Sequence, residues 1–339
     1  MYDPRQMVGF CSSPRFVDHR TGPHHPERPD RIKAVYRALR TAGMLDGEDP
    51  FPSFHLDLGP MGRSRSTLKA IEPGPADRRW LREVHPVEHI ERIEHICAVG
   101  GGVLDQGDTP VSPGSFDTAA LAVGACLACC DAVASGGVRR AFAAVRPPGH
   151  HAEPARPMGF CLFGNVAIAA RYLQRKHGMG RIAIVDFDVH HGNGTQAVFE
   201  SDPSVLFISL HQHPATCYPY SGHDWEIGTG PGRGFTVNIP FEPGAEDVDY
   251  LRIVDNRVVP ELEEFRPDAL LISAGFDAHQ DDPLAQMRLS DDGFELMTRS
   301  LAAAADRCCG GRIVSVLEGG YHLRALGRSV VRHLLALGA

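Results

Sequence analysis

Short apolar runs that lack polar alternation recur through the second half of the chain, and they limit the possible folds more than any other feature. Strands buried on both faces of a parallel sheet have this composition, whereas half-exposed strands alternate apolar and polar residues. Helical stretches separate several of the runs, which predicts a doubly wound α/β sheet with right-handed crossovers. The predicted strands are 141–145, 181–188, 205–211, 235–240, 269–277 and 312–320.

The predicted helices lie before and between these strands, and we expect residues 1–339 to form a single domain. Domains of the α/β class often reach this length as one unit. Residues 47–80 are rich in glycine, proline and charge. A linker has this composition too, but similar sequence on both sides favours a surface excursion within one domain. The predicted helices are 28–42, 86–99, 165–177, 247–264 and 291–306.

The charge balance narrows the possible partners. The formal net charge is −8, and a surface that coats nucleic acid is basic, so we expect no nucleic-acid partner. The N-terminus has no apolar secretory segment, and no apolar stretch is long enough for a membrane span. We therefore expect no membrane association, while a homo-oligomer stays open.

The cysteines indicate a reducing compartment, which we take to be the cytoplasm. Their number is nine, and an odd count without regular spacing is a poor disulfide framework. Cys126, Cys129 and Cys130 lie in an alanine-rich stretch that predicts a buried helix. A zinc knuckle would need a second paired set of ligands, so small core side chains are the better interpretation.

Reactive side chains follow five of the predicted strands at the point where each strand ends. Open α/β sheets carry their active sites at the carboxyl ends of the strands, so these side chains should meet at one edge. One such residue is expected by chance, but five predict a functional site. They belong to RPPGHH at 146–151, DFDVHHGNG at 186–194, HQHP at 211–214, Asp277 and Tyr321.

The segment DFDVHHGNG carries the densest set of charges. In an extended chain, Asp186, Asp188 and His190 point to the same side, so two carboxylates and an imidazole face together. An EF-hand loop also begins with D-x-D. Its sixth and twelfth positions need Gly and Glu, where this chain has His191 and Ala197, so we exclude a calcium loop of that type.

A metal ion is the simplest partner for these charges, with structural hydrogen bonding as the alternative. Asp188 offers an oxygen and His190 a nitrogen, and Asp277 ends a neighbouring apolar strand. Three protein ligands with one open position are typical of a catalytic metal site.

Two further features suit catalysis beside such an ion. His150 and His151 follow a Pro-Pro-Gly turn, and adjacent imidazoles near a metal favour proton transfer, with chelation or simple solvation as alternatives. Tyr321 follows two glycines. Its phenol can donate a hydrogen bond to a developing oxyanion, although packing is the usual role of a lone tyrosine.

At these residues the chain resembles the histone deacetylase family, in the branch of class II deacetylases, bacterial deacetylase-like amidohydrolases and acetylpolyamine amidohydrolases. The resemblance runs from HPERP at 25–29 to EGGYH at 318–322. It implies the single-domain α/β arginase/deacetylase fold, a mostly parallel central sheet flanked by helices. The other matching motifs are RPPGHH at 146–151, MGFCLFGN at 158–165, DFDVHHGNGTQ at 186–196, ISLHQ at 208–212 and SAGFDAH at 273–279.

The resemblance implies roles for individual residues of this chain. The implied metal ligands are Asp188, His190 and Asp277. The catalytic set comprises the tandem histidines, an aspartate that orients the first, an asparagine where class I members have an acid near the second, and a carbonyl-polarising tyrosine. These residues are His150, His151, Asp186, Asn193 and Tyr321.

A narrow channel for an aliphatic stem is implied as well, with a rim carboxylate that contacts the substrate backbone. The implied substrate-binding residues are Gly159, Phe160, Tyr218, Asp108, Leu284 and Gly319. A structural monovalent-cation site, expected to hold K⁺, would use backbone carbonyls and one serine. Its residues are Asp186, Asp188, His190, Ser209 and Leu210.

The expected activity is metal-dependent hydrolysis of an acetyl-amide on lysine, a polyamine or another small acylated amine. We expect Zn²⁺, while Fe²⁺ or Co²⁺ also suits two carboxylates and one imidazole. Polyamine-selective relatives tend to carry an acid where this chain has Leu284, which favours acyl-lysine. A silent acetyl-lysine binding module is an alternative, and an arginase-like two-metal site would want more acidic ligands.

Overall fold

An eight-stranded sheet forms the centre of the computed structural model, which describes residues 7–62, 68–105 and 107–339. The strands are β1 (Val8–Ser12), β2 (Lys69–Ile71), β3 (Gly102–Val103), β4 (Pro110–Val111), β5 (Arg140–Ala144), β6 (Ile182–Asp186), β7 (Val205–Gln212), β8 (Thr236–Phe241), β9 (Ala269–Ala274) and β10 (Ile313–Leu317). The order across the sheet is β2-β1-β5-β10-β9-β6-β7-β8. Every pairing in it is parallel, and β3 and β4 form a separate antiparallel pair.

Helices connect the strands. They are α1 (Asp30–Thr41), α2 (Arg78–Leu81), α3 (Val87–Ala98), α4 (Ser115–Ala134), α5 (Asn165–His177), α6 (Asn193–Phe199), α7 (Asp247–Ile253), α8 (Val259–Phe265), α9 (Asp291–Cys309) and α10 (Leu323–Leu337). A π-helical turn, Val254–Val258, joins α7 to α8. The sequence predicts one continuous helix there. Pro260, at the start of α8, has no N–H to donate into the preceding turn, which accounts for the wider turn.

Helices cover both faces of the sheet, as the strand composition predicts. Phe142 of β5 lies beside Ser315 of β10 in the register, and both contact His333 of α10. Cys11 of β1 belongs to the next row and contacts Cys129 of α4. Because successive side chains of a strand point to opposite faces, α10 and α4 lie on opposite sides of the sheet.

All six predicted strands are present, and the predicted mostly parallel α/β fold is confirmed. The observed strands in 181–188, 269–277 and 312–320 end two or three residues early, at Asp186, Ala274 and Leu317. The residues beyond each strand end leave the sheet and turn into the loops that carry the polar side chains.

Part of the segment 47–80 packs against the core and contributes a strand to the sheet. Leu58 is buried, and Lys69–Ile71 pairs with β1 as the edge strand. Residues 63–67 of the predicted surface excursion, and residues 1–6 at the N-terminus, lie outside the described part of the chain.

In the described part of the chain, one helix, α4, is long and apolar enough by composition to cross a membrane, so the expectation that no apolar stretch reaches that length is wrong. In the fold, 72% of its most apolar window is buried. Cys126, Cys129 and Cys130 lie on it, and all three are buried and unpaired, in agreement with the predicted core helix.

Candidate active site

The loops that follow β5, β10, β9, β6 and β7 meet at one edge of the sheet, because these five strands are consecutive neighbours. They are the strands whose ends carry the reactive side chains. The prediction that distant parts of the sequence gather at one edge is therefore confirmed by the strand order.

Asp188, His190 and Asp277 come together at this edge. Their potential ligand atoms all lie within 4.8 Å of one another. Nδ1 of His190 is 3.1 Å from Oδ1 of Asp188 and 3.2 Å from Oδ2 of Asp277. Both carboxylates are fully buried, so one nitrogen and two oxygens converge on a common point inside the protein.

Backbone N–H groups fix both carboxylates. Asp188 accepts from the N–H of Gly319 at 2.8 Å and from that of His190 at 2.9 Å. Asp277 accepts from the N–H of Val189 at 3.0 Å. These bonds hold the oxygens in place before any ligand arrives, which is the preorganisation that a metal site needs.

The electrostatics of the cluster favour a cation. Burial opposes ionisation of Asp188, but the imidazoles of His150 and His190 hold its pKa below the usual range. Burial raises the pKa of Asp277, and the nearby charge of Asp188 adds to that rise. A cation between the two carboxylates offsets the free-energy cost of burying their charges and the repulsion between them.

His150 pairs with a carboxylate. Its Nδ1–H donates to Oδ2 of Asp186 at 3.0 Å, and Oδ1 of Asp186 accepts from the N–H of Asp188 at 3.1 Å. Burial lowers the pKa of His150, but the negative charges of Asp188 and Asp186 outweigh it and raise the pKa to about 10. The protein therefore favours the protonated form of this ring.

His151 pairs with a neutral amide instead. Its Nδ1 lies 2.7 Å from Oδ1 of Asn193. Burial lowers the pKa of His151 well below its usual value, and the charges of His150 and His190 lower it further. Two adjacent histidines thus have opposite preferences, one for the charged and one for the neutral ring.

Tyr321 lies beside the cluster. Its backbone N–H donates to Oδ2 of Asp282 at 2.7 Å, and the guanidinium of Arg31 lies 5.0 Å from its ring centroid. Burial raises the pKa of the phenol well above its usual value, and the charge of Asp277 raises it further. The phenol is therefore a hydrogen-bond donor close to Asp277.

Aromatic rings contact the catalytic side chains. Phe160 meets Tyr321 edge-on with ring centroids 5.8 Å apart, and Tyr218 meets His151 in the same way at 5.2 Å. Gly159 has a φ of 56°, and an added Cβ there would lie 2.3 Å from the His151 ring. Glycine is therefore required at 159 for the loop to pass over the histidine.

The predicted rim residues lie farther out. Burial raises the pKa of Tyr218 and the charge of Asp108 adds to the rise, which puts that carboxylate near the aromatic wall. Leu284 is 39% exposed, and its backbone N–H donates to Oδ1 of Asp282 at 3.1 Å.

Ser209 and Leu210 lie on β7, where Ser209 pairs in register with Asp186 of β6. Both are fully buried, and the Ser209 hydroxyl bonds to Nδ1 of His211 at 2.9 Å. The monovalent-cation site at these residues stays a prediction.

Comparison with known proteins agrees with this geometry. Residues 25–337 match the histone deacetylase domain. The chain belongs to the histone deacetylase family. It is a hydrolase of the deacetylase type. Members of this family are typically metal dependent, which agrees with the three ligand atoms that converge at this site.

Named relatives cover most of this deacetylase. It is 39% identical to a probable deacetylase of Archaeoglobus fulgidus over 315 residues, which is 93% of this chain and 81% of the relative. It is 45% identical to the histone deacetylase-like amidohydrolase of Pseudomonas aeruginosa over 249 residues, 73% of this chain and 64% of that protein. The crystal structure of the HDA15 HD domain matches with a TM-score of 0.86 at 36% identity, covering 98% of this chain and 90% of that one.

Sequence reasoning missed several residues that support the deacetylase site. Glu318 accepts the backbone N–H groups of Gly149 at 2.6 Å and His150 at 3.1 Å. Arg31 donates to the backbone carbonyls of Glu318 at 2.5 Å and Gly320 at 2.7 Å. The Glu318 bonds hold the histidine loop to the tyrosine loop, and the Arg31 bonds hold the tyrosine loop to α1. The sequence signals for these two residues were their positions, since Glu318 lies within EGGYH and Arg31 follows shortly after HPERP.

The substitution Gly319→Ala should weaken metal binding at least roughly 10-fold, the scale of losses from disturbed supporting groups. An added Cβ would lie 2.0 Å from Oδ2 of Asp277 and 2.6 Å from Oδ2 of Asp188, so the carboxylates must move apart. Calorimetric titration of metal-free protein with Zn²⁺ measures the change. Gly180→Ala is the control, because its Cβ would have no neighbour closer than 3.9 Å. Equal affinity in both variants would contradict the prediction.

Proposed function

We propose that this deacetylase is a zinc-dependent amidohydrolase that removes the acetyl group from the side-chain amine of an acetyl-lysine residue and releases acetate. The observation that carries the proposal is the convergence of Asp188, His190 and Asp277 within 4.8 Å, beside two histidines with opposite protonation preferences and a protonated phenol.

Asp188, His190 and Asp277 would hold the ion and leave a coordination position open. Two carboxylates and one imidazole with an open position are a catalytic zinc set, although Fe²⁺ and Co²⁺ accept the same donors. When bound, the ion polarises the acetyl carbonyl and lowers the pKa of a bound water. The fit rests on two buried carboxylates that face one nitrogen.

His151 would act as the general base. Its Nδ1 contacts the oxygen of Asn193 at 2.7 Å, so Nδ1 carries the ring proton and Nε2 keeps a lone pair. An amide oxygen stabilises imidazolium less than a carboxylate does, which keeps the ring neutral before the reaction. Nε2 can then take a proton from the attacking water.

His150 and Tyr321 would complete the reaction. The Asp186 carboxylate, 3.0 Å from Nδ1 of His150, stabilises imidazolium, so His150 can give the proton from Nε2 to the departing amine. The Tyr321 phenol donates a hydrogen bond to the oxyanion that forms on the acetyl carbonyl. The products are acetate and a free amine.

An acyl-lysine substrate is favoured by the groups near Leu284. Asp282 could have met a second ammonium of a polyamine, but Oδ1 accepts from the N–H of Leu284, and Oδ2 from those of Tyr321 and His322. Asp281 lies 3.7 Å from Arg328. Both neighbouring carboxylates therefore already have partners within the protein.

The cytoplasm is the proposed compartment. All nine cysteines are unpaired, which suits a reducing environment. A homo-oligomer and the structural K⁺ ion at Asp186, Asp188, His190, Ser209 and Leu210 are further parts of the proposal.

The primary test is hydrolysis of a fluorogenic acetyl-lysine peptide by protein stripped with chelator and reloaded with Zn²⁺, Co²⁺ or Fe²⁺. We expect turnover to vanish without metal and to return on reloading, because the water and carbonyl depend on the ion. If the protein bound the acetyl-lysine peptide but did not hydrolyse it with any of the three metals, the proposed enzyme activity would be contradicted and a silent binding module favoured.

The variant Tyr321→Phe should lower kcat by roughly 10²–10³, the cost of losing one oxyanion donor. The ring contacts to Phe160 and Arg31 are kept, so the effect reports the hydroxyl alone. Tyr220→Phe is the matched control, because Tyr220 is 69% exposed and has no proposed role in the reaction. A kcat for Tyr321→Phe equal to that of the control would remove the phenol from the mechanism.

The variant Leu284→Glu should shift specificity towards acetylated polyamines. A carboxylate at this half-exposed position would attract a second ammonium, and at an exposed site that is worth up to about 1 kcal/mol, or roughly fivefold in kcat/KM. The ratio of kcat/KM for N-acetylputrescine to that for the acetyl-lysine peptide measures the shift. Leu284→Gln controls for size and polarity. A wild-type preference for the polyamine would refute the proposed acyl-lysine substrate.

A further inference from the structure

The side-chain amide of Asn193 is held on three sides. Its Nδ2 donates to Oε1 of Glu153 at 2.9 Å and to the Met158 sulfur at 3.4 Å. Its Oδ1 faces Nδ1 of His151 at 2.7 Å. An asparagine amide can present either its oxygen or its nitrogen to a neighbour, so these partners decide which one the histidine meets.

Glu153 is the partner that makes the choice. An ionised carboxylate only accepts hydrogen bonds, so the amino end of Asn193 must point to it and the oxygen must point to His151. The Met158 sulfur is a weak acceptor and adds little. If the amide turned over, its N–H would face Nδ1 of His151 and the ring proton would move to Nε2, which removes the lone pair that a general base needs.

Glu153 is itself fixed by its turn. Its backbone exchanges hydrogen bonds with Arg156 at 3.0 and 3.3 Å, and its carboxylate accepts both arms of the Arg156 guanidinium at 3.1 and 2.8 Å. The Arg156 side chain is 61% exposed, so this ion pair is screened by solvent and contributes little. The bond from Asn193 ends on Oε1 of Glu153, which also accepts from one arm of Arg156.

We propose that Glu153 is a positioning residue of the deacetylase reaction, which acts through Asn193 to set the ring tautomer of His151. The inference rests on the proposed function of His151 as the general base. Glu153 touches neither substrate nor metal ligand, and its effect passes entirely through the orientation of one amide.

Steady-state kinetics of zinc-loaded protein with the acetyl-lysine peptide test the proposal. Glu153→Gln lets either end of Asn193 face the new amide, so kcat should fall roughly 10- to 100-fold, the usual loss for a supporting residue, with KM within about twofold.

Long-range proton–nitrogen NMR of ¹⁵N-histidine-labelled, zinc-loaded protein gives a readout that is independent of turnover. We expect His151 to be protonated at Nδ1 in the wild type and in Glu153→Asp, which keeps an acceptor-only carboxylate, and to shift towards Nε2–H in Glu153→Gln. Arg156→Gln should leave the tautomer unchanged and kcat within about twofold, as expected for an exposed ion pair. An unchanged tautomer in Glu153→Gln would overturn the inference.

The two proposals fail in different ways. Wild-type protein that hydrolyses no acetylated amine would refute the proposed function, while the NMR comparison would still report whether Glu153 sets the tautomer. Active wild-type protein with an equally active Glu153→Gln variant would refute the positioning role alone.

Discussion

Asp188 and Asp277 are both fully buried, and each lies within 3.2 Å of the same imidazole nitrogen of His190. Like charges so arranged are unfavourable in a protein interior unless a cation or a proton lies between them. The surrounding backbone supplies N–H groups to these oxygens, and Nε2 of the His150 ring lies 3.7 Å from Oδ1 of Asp188. The glycine loops and the histidine pair are arranged around this concentration of negative charge, so the rest of the site depends on what neutralises it.

The parallel sheet makes this arrangement possible. Strands β10, β9 and β6 are neighbours in its centre, and the residues just beyond their ends are Gly319, Asp277 and Asp188. Parallel strands end at the same edge, so residues far apart in sequence reach one point without long loops. Glycine at 319 is then required, because a side chain there would occupy the space of both carboxylates.

The sequence predicts six of the strands and the residues at their ends. A strand buried on both faces is an apolar run, and the polar residues that follow it mark where the strand ends. It does not predict β1, which contains Gly9, or β2, which has three residues and begins with Lys69, because neither residue favours strands. The supporting role of Glu318 was also missed. Its carboxylate binds the backbone N–H of Gly149, 169 positions away, and no side-chain pattern marks a backbone donor.

The two histidines show what one neutral neighbour contributes in so charged a site. His150 faces a carboxylate at 3.0 Å, whereas His151 faces an amide at 2.7 Å. If both faced carboxylates, both would favour imidazolium, and the neutral ring that accepts a proton from water would be less populated. An amide solves this problem but introduces another, because it can turn over, whereas a carboxylate is symmetric. Glu153 lies 2.9 Å from Asn193 and only accepts hydrogen bonds, so it removes that ambiguity. Its negative charge contacts Asn193 and not His151, and it therefore orients the amide without stabilising the imidazolium form of the base.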